Sequence, residues 1–271
     1  MKRTILYFFR LFCCLAAFTF TSCKKTTPDT ETQGTVDNAY CEGEFTNIFA
    51  LINSYAISQQ GIKAGVTPSL TVDTSAWPRK ITLDFGTTGL ADTVNGDGRL
   101  RTGKIRVSFD SLWSKIGSIA TISLDTYAVA KSSSSPFLQF SATTVKITHT
   151  AAATYHYVIT GGKCEGNGYT LHWDTDRKIT QTGVVATTGN GDDAYSTTSG
   201  TSNGIDRNGK SYKTNITFPI VKRTTCAWME AGRLDLTPDG LSARTIDYGD
   251  GTCDSKASLT IDGNVFTFIL N

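Results

Sequence analysis

The run DTVNGDGRLRTGK (Asp92 to Lys104) carries acids and amides at a spacing that could hold calcium. A helix–loop–helix calcium site takes oxygen ligands at loop positions 1, 3, 5 and 12 around a glycine at 6. With Gly98 at position 6, Asn95 and Asp97 fall at 3 and 5, but Thr93 falls at 1 and Lys104 at 12. A cation stands where the bidentate acid belongs, so the run reads as a β-turn. Asp247, Asp250 and Asp254 form a second acidic group without a recognised ligand spacing. Asp84-Phe85-Gly86 spells the magnesium motif of protein kinases, without the glycine-rich and catalytic loops that phosphoryl transfer requires. His149, His156 and His172 follow no metalloprotease spacing, and no GxSxG serine elbow occurs. No metal and no cofactor are therefore expected. Glu165, Asp174 and Asp176 flank Trp173. Two carboxylates held about 5–10 Å apart hydrolyse glycosides, which makes a glycan-active enzyme the alternative reading. Trp173, Trp113 and Trp77 are the candidate glycan-stacking side chains, each of which would equally serve as core.

The elements that must position these groups are mostly strands. Ile81, Leu83 and Phe85 alternate with polar residues, as do Ile105, Val107 and Phe109, then Val145 and Ile147. Tyr169, Leu171 and Trp173 repeat the pattern, and so do Tyr212, Ile216, Phe218 and Ile220. Alternation with period two marks half-buried strands. Asn95-Gly96, Gly161-Gly162, Asn203-Gly204, Asn208-Gly209 and Asp262-Gly263 punctuate them as turns. The fold expected is mainly β: a large antiparallel sheet or sandwich of hairpins with one N-terminal helix. Thr180 to Gly204, rich in Thr, Ser and Gly, fits exposed strands and a long loop equally well. The helix is placed over Glu42 to Gln60, where Phe45, Ile48, Phe49, Ile52, Tyr55 and Ala56 share one face.

ITLDFGTTGL and RTIDYGDGTC echo one another: Leu83-Asp84-Phe85-Gly86 aligns with Ile246-Asp247-Tyr248-Gly249. Each follows a hairpin pattern, so the β domain at 40–271 is read as two related β units, with halves at about 40–165 and 166–271. In each, the aromatic is expected to pack inward and the glycine to take a bulge or positive φ.

The chain opens with Met1-Lys2-Arg3, an apolar run from Leu11 to Phe20, then Thr21-Ser22-Cys23-Lys24-Lys25. A short basic start and about ten apolar residues suit a cleaved secretory signal over residues 1–22, while a spanning helix needs about 20. Residues 23–39, polar after Cys23, read as a disordered tether. Without residues 1–22 the chain keeps 26 − 3 = 23 Lys+Arg against 24 Asp+Glu. That balance gives no basic face for nucleic acid, and none is expected as a partner. Cys41, Cys164, Cys226 and Cys253 then remain beside Cys23. Four cysteines in an oxidising compartment allow three pairings. Cys226–Cys253 is favoured because a hairpin and a turn separate them, and Cys41–Cys164 follows by elimination.

Ser22-Cys23 at the end of the apolar run resembles the lipobox of bacterial lipoproteins, and the following Lys24-Lys25 resembles those of Bacteroidota. The resemblance implies cleavage before Cys23, a diacylglyceryl group on its thiol and an acylated amino terminus such as palmitate. Two or more acyl chains anchor stably where one does not. The blocks WPRKITLDFG, DGRLRTGKIRVSF and RTIDYGDGTCDSKASLTIDG resemble a family of uncharacterised Bacteroidota lipoproteins over most of residues 65–271. That family carries no assigned activity and no catalytic residue to transfer. The expectation is an outer-membrane lipoprotein with a binding or envelope-structural role. Its partners are the membrane, through the lipid, and a glycan or envelope protein. The periplasmic face is favoured, because surface export in that phylum resembles an acidic run after the cysteine.

Overall fold

The computed structural model describes residues 29–58, 68–91, 96–183 and 193–270. Glu31–Asn271 forms one compact unit. Its frame is one antiparallel sheet of 16 strands. They are β1 (Ser69–Asp73), β2 (Arg79–Asp84), β3 (Leu90–Ala91), β4 (Leu100–Phe109), β5 (Ile119–Ala130), β6 (Leu138–Ser141), β7 (Thr144–Ala151) and β8 (Thr154–Thr160). There follow β9 (Lys163–Gly166), β10 (Tyr169–Gln181), β11 (Ala194–Ile205), β12 (Ser211–Arg223), β13 (Ala231–Pro238), β14 (Arg244–Asp250), β15 (Lys256–Ile261) and β16 (Asn264–Ile269). Most strands pair with a neighbour in sequence, as in a chain of hairpins, while β2–β4, β5–β7, β6–β9 and β8–β10 skip one or two strands. β6 and β7 lie end to end along β5, and β9 and β8 end to end along β10. The sheet passes without a break from β9 to β10, so residues 165/166 mark no division of the body. Of the open stretch Thr180 to Gly204, the ends belong to β10 and β11, and residues 184–192 lie outside the described residues.

One helix among the described residues, α1 (Gln33–Ser58), runs inside the curl of this sheet. It begins nine residues before the expected Glu42, so residues 33–39, expected in the tether, belong to it. The expected single apolar face was too narrow a reading. Phe45, Phe49 and Ile52 are buried, but so are Thr46, Asn47, Ala50, Leu51 and Ser54 on the other sides. A helix buried all round has no wet face. Its side chains touch strands across the sheet: Glu44 pairs with Arg101 of β4, Phe45 meets Phe140 of β6 and stacks on Trp173 of β10, and Phe49 meets Tyr195 of β11.

Curling needs bends, and β-bulges bend strands. The register shifts at Thr102/Lys104, at Lys178/Ile179 and between Thr197 and Thr201. In the last of these Gly200 has φ +132°, and a Cβ there would lie 2.1 Å from the Asp176 carbonyl oxygen, so glycine alone fits. The curl is also staggered. Arg101 near the start of β4 reaches Glu44 in the middle of α1, whereas Arg244 at the start of β14 reaches Glu31 ahead of it. The segment entering β4 meets the connection beyond the far end of β12: Arg99 Nη2 donates to the Ala227 carbonyl at 3.1 Å. The sheet wraps the helix as a spiral. Among the described residues its edges β1 and β16 each pair on one side only.

The echoed segments adopt the expected geometry. Phe85 and Tyr248 are buried, and Gly86 and Gly249 have φ +71° and +107°. Asp84 and Asp247 each accept a hydrogen bond from the glycine two residues on, at 2.9 and 3.0 Å. Each acid also pairs outward with a neighbouring-strand cation, Lys104 or Arg233.

Candidate functional site

Three fully buried arginines line the inside of the sheet: Arg101 on β4, Arg177 on β10 and Arg244 on β14. Each stands in the inward phase of its strand. Arg101 keeps step with Ile105, Val107 and Phe109, Arg177 with Trp173 and Ile179, and Arg244 with Ile246 and Tyr248. A buried guanidinium demands an acid and full hydrogen bonding, and α1 and its approach supply the acids. Arg244 pairs with Glu31 at 3.1 Å and Arg177 with Glu42 at 2.7 Å. Arg207, on the turn after β11, grips Asp37 by Nε and Nη2 while its backbone N–H donates to the same carboxylate at 2.9 Å.

The densest cluster surrounds Glu44. Arg101 donates to Glu44 through Nε and Nη2 at 3.2 and 3.1 Å, and forks onto Asp97 at 2.9 and 2.7 Å. Tyr127 donates to Glu44 at 2.5 Å, and Asn47 donates to both acids. Arg99 lies 3.8 Å from Glu44. Lys222, at the far end of β12, is buried against the same group and donates to the Cys226 carbonyl. Burial raises the Asp97 carboxyl, but the charge and hydrogen bonds of Arg101, with Lys222 and Arg99, overcome that and hold it down at about 2. Burial lowers the Lys222 ammonium to about 8 against the pull of Asp97. Asn53 extends the polar seam: it accepts from the Trp113 indole at 3.0 Å and donates to Gln181 at 3.0 Å.

Lys222 yields a pH signature. Its folded pKa of about 8 lies below its ordinary 10.5, so between those values the unfolded chain binds more protons. This residue therefore makes stability rise with pH across that window, by on the order of 3 kcal/mol. Lys222→Met is expected to flatten that rise in urea denaturation measured stepwise through the window.

The expected site residues fare unevenly. Cys23, Thr93 and Asn95 lie outside the described residues. Cys226 and Cys253 are bonded, with Cα atoms 5.8 Å apart, tying the β12–β13 connection to the β14–β15 connection. The Cys41–Cys164 pairing is corrected: both are free, buried thiols. Burial pushes each thiol well above its ordinary pKa, with Cys164 and acids near Cys41, and Asp37 and Glu44 near Cys164, adding to the shift. Trp173 and Trp113 are only 2% and 4% exposed, so they anchor α1 rather than offer a sugar platform. Trp77, 46% exposed with Arg79 over its ring at 4.5 Å, is the one of the three at the surface.

Trp173 also stands on the opposite face of β10 from Asp174 and Asp176, because neighbouring strand residues point oppositely. Asp176 shares a 2.7 Å hydrogen bond with His156 on the outer face, and Asp174 accepts from the Gly162 N–H. His149 is buried, bonding the Trp113 carbonyl through Nδ1. Asp247, Asp250 and Asp254 do come together, along one open groove of about 500 Å³. Each is engaged: Asp247 with Arg233, Asp250 with the Thr252 N–H and Asp254 with the Lys256 N–H. Compared with protein-family models, curated proteins and solved structures, the chain matches none.

Proposed function

We propose that this chain is a lipid-anchored protein of the bacterial cell envelope that binds a partner or holds envelope structure without catalysis. Cys23 carries the lipid in this reading, the outer membrane is its site, and the periplasmic face is favoured by Lys24-Lys25. The supporting observation for the non-catalytic role is the use made of the interior. The acids of α1 and its approach, Glu31, Asp37, Glu42 and Glu44, are each bound to an arginine of the surrounding strands or, for Asp37, of the turn after β11. Charges held in such mutual pairs hold the helix in place. Recognition then belongs to the outer surface. There Trp77 is the residue for a glycan face, and an envelope protein is the other partner class.

The test is the intact mass of the membrane-extracted protein and of its Cys23→Ala variant, with thiols counted in denaturant. A lipid-sized increment present in the native protein and lost in the variant is expected. Two thiols, Cys41 and Cys164, should titrate, while Cys226 and Cys253 react only after reduction. No increment together with a third reactive thiol, at Cys23, would end the anchored reading.

A further inference from the structure

Strand β16 closes one edge of the sheet with the sequence Asn-Val-Phe-Thr-Phe-Ile. Proteins usually blunt an open edge with a charge, a proline or a covering element, because unpaired N–H and C=O groups invite another strand. This edge has neither charge nor proline. Its outward residues Val265 and Ile269 are 68% and 52% exposed, among the most exposed large apolar side chains described. They stand two places either side of Thr267.

We propose that β16 is a self-association edge, pairing antiparallel with β16 of a second copy about a two-fold axis through Thr267. That register sets Val265 opposite Ile269 of the second copy, and the converse, so both exposed apolar residues gain a cross-strand partner. Thr267 meets its own counterpart, beside Ser258 on the neighbouring strand. The half-buried Phe266 meets the buried Phe268 of the other copy on the inner face. The surface is self-complementary, as a closed two-fold interface requires. Charge agrees with it. On β15, Lys256 lies beside Ile269, while Asp262 lies at the turn at the other end. Antiparallel pairing brings the Lys256 end of one edge toward the Asp262 end of the other. Six paired residues a side bury less than the roughly 800 Å² per partner of a standard stable interface, so association is reversible and concentration-dependent.

The test uses the full chain. Sedimentation velocity over a concentration series should show monomer–dimer exchange. Thr267→Lys, which sets two like charges face to face on the axis, should weaken it at least tenfold without moving the melting temperature. Thr267→Cys, oxidised with copper-phenanthroline, should give a disulfide-linked dimer on a non-reducing gel, since directly opposed residues lie within disulfide reach. Thr260→Cys, one strand in from the edge, should not. A dimer untouched by Thr267→Lys overturns the proposal, as does a chain monomeric at every concentration. So does a cross-link that forms only between Thr267→Cys and Val72→Cys on β1, because it would mean open-ended β1–β16 stacking.

Discussion

Replacing Arg177 with methionine is expected to lower the unfolding free energy by about 3–5 kcal/mol. Methionine keeps much of the apolar stem, so little of the loss comes from an empty space. It comes from what Arg177 leaves behind. Its Nη2 donates to Glu42 at 2.7 Å and its Nη1 to the Gly200 carbonyl at 2.9 Å, in the bulge that bends β11. Without the guanidinium, a carboxylate stays buried with no cation. Adding Glu42→Leu to the same chain is expected to recover most of the loss, since removing both charges removes both desolvation costs. Urea denaturation of the native chain, the two single variants and the double variant closes the cycle that isolates the pair. A double variant as unstable as Arg177→Met would show that Arg177 acts through packing instead.

Asp97→Asn should be comparably severe, about 3–5 kcal/mol, because it breaks one side of a buried pair. Shape is preserved, but an amide N–H₂ now faces the N–H groups of the Arg101 fork, which held the carboxylate at 2.9 and 2.7 Å. Lys222 loses its strongest counter-charge as well. The same residue predicts an acid signature. Its folded pKa of about 2 lies below the ordinary 3.8, so its contribution is fully present above about pH 4 and is lost as pH falls toward 2. The native chain should therefore lose stability more steeply than Asp97→Asn across that window, with the two curves converging at the acid end. Parallel curves would take Asp97 out of the acid transition.

What could be read in advance follows from where the information lies. Ile105, Val107 and Phe109 announce their strand because the period-two signal is local. So does the echoed Asp-aromatic-Gly, whose turn is closed by the side chain of its own aspartate. The first nine residues of α1, QGTVDNAYC, were not legible as helix, having no apolar stripe. Their polar groups are matched by partners far along the chain: Asp37 by Arg207 and Asn38 by Trp173. A signal did exist for the sheet side of these pairs. Arg101, Arg177 and Arg244 occupy inward slots of alternating strands, where an arginine has no reason to stand unless an acid waits opposite. Trp173 misled for a related reason. The acids adjacent to it in sequence belong to the other face of β10, and its indole serves Asn38. Pairing Cys41 with Cys164 by elimination rested on counting alone, and the structure leaves both as free thiols.

The contact between Glu31 and Arg244 spans 213 positions of sequence. A chain emerging amino end first, as it would through a translocation pore, exposes α1 before any strand that could neutralise it. Until β4 appears, Glu44 has no arginine, and until β14 appears, Glu31 has none. An isolated helix carrying these charges beside Phe45, Phe49 and Ile52 has no stable face to bury, so it should stay pliant rather than lock early. Threading and wrapping then become one late event, gated by the arrival of about the last tenth of the polypeptide. A nascent chain cut short before residue 244 should remain protease-sensitive throughout, and a chain extended past β16 should gain resistance in a single step.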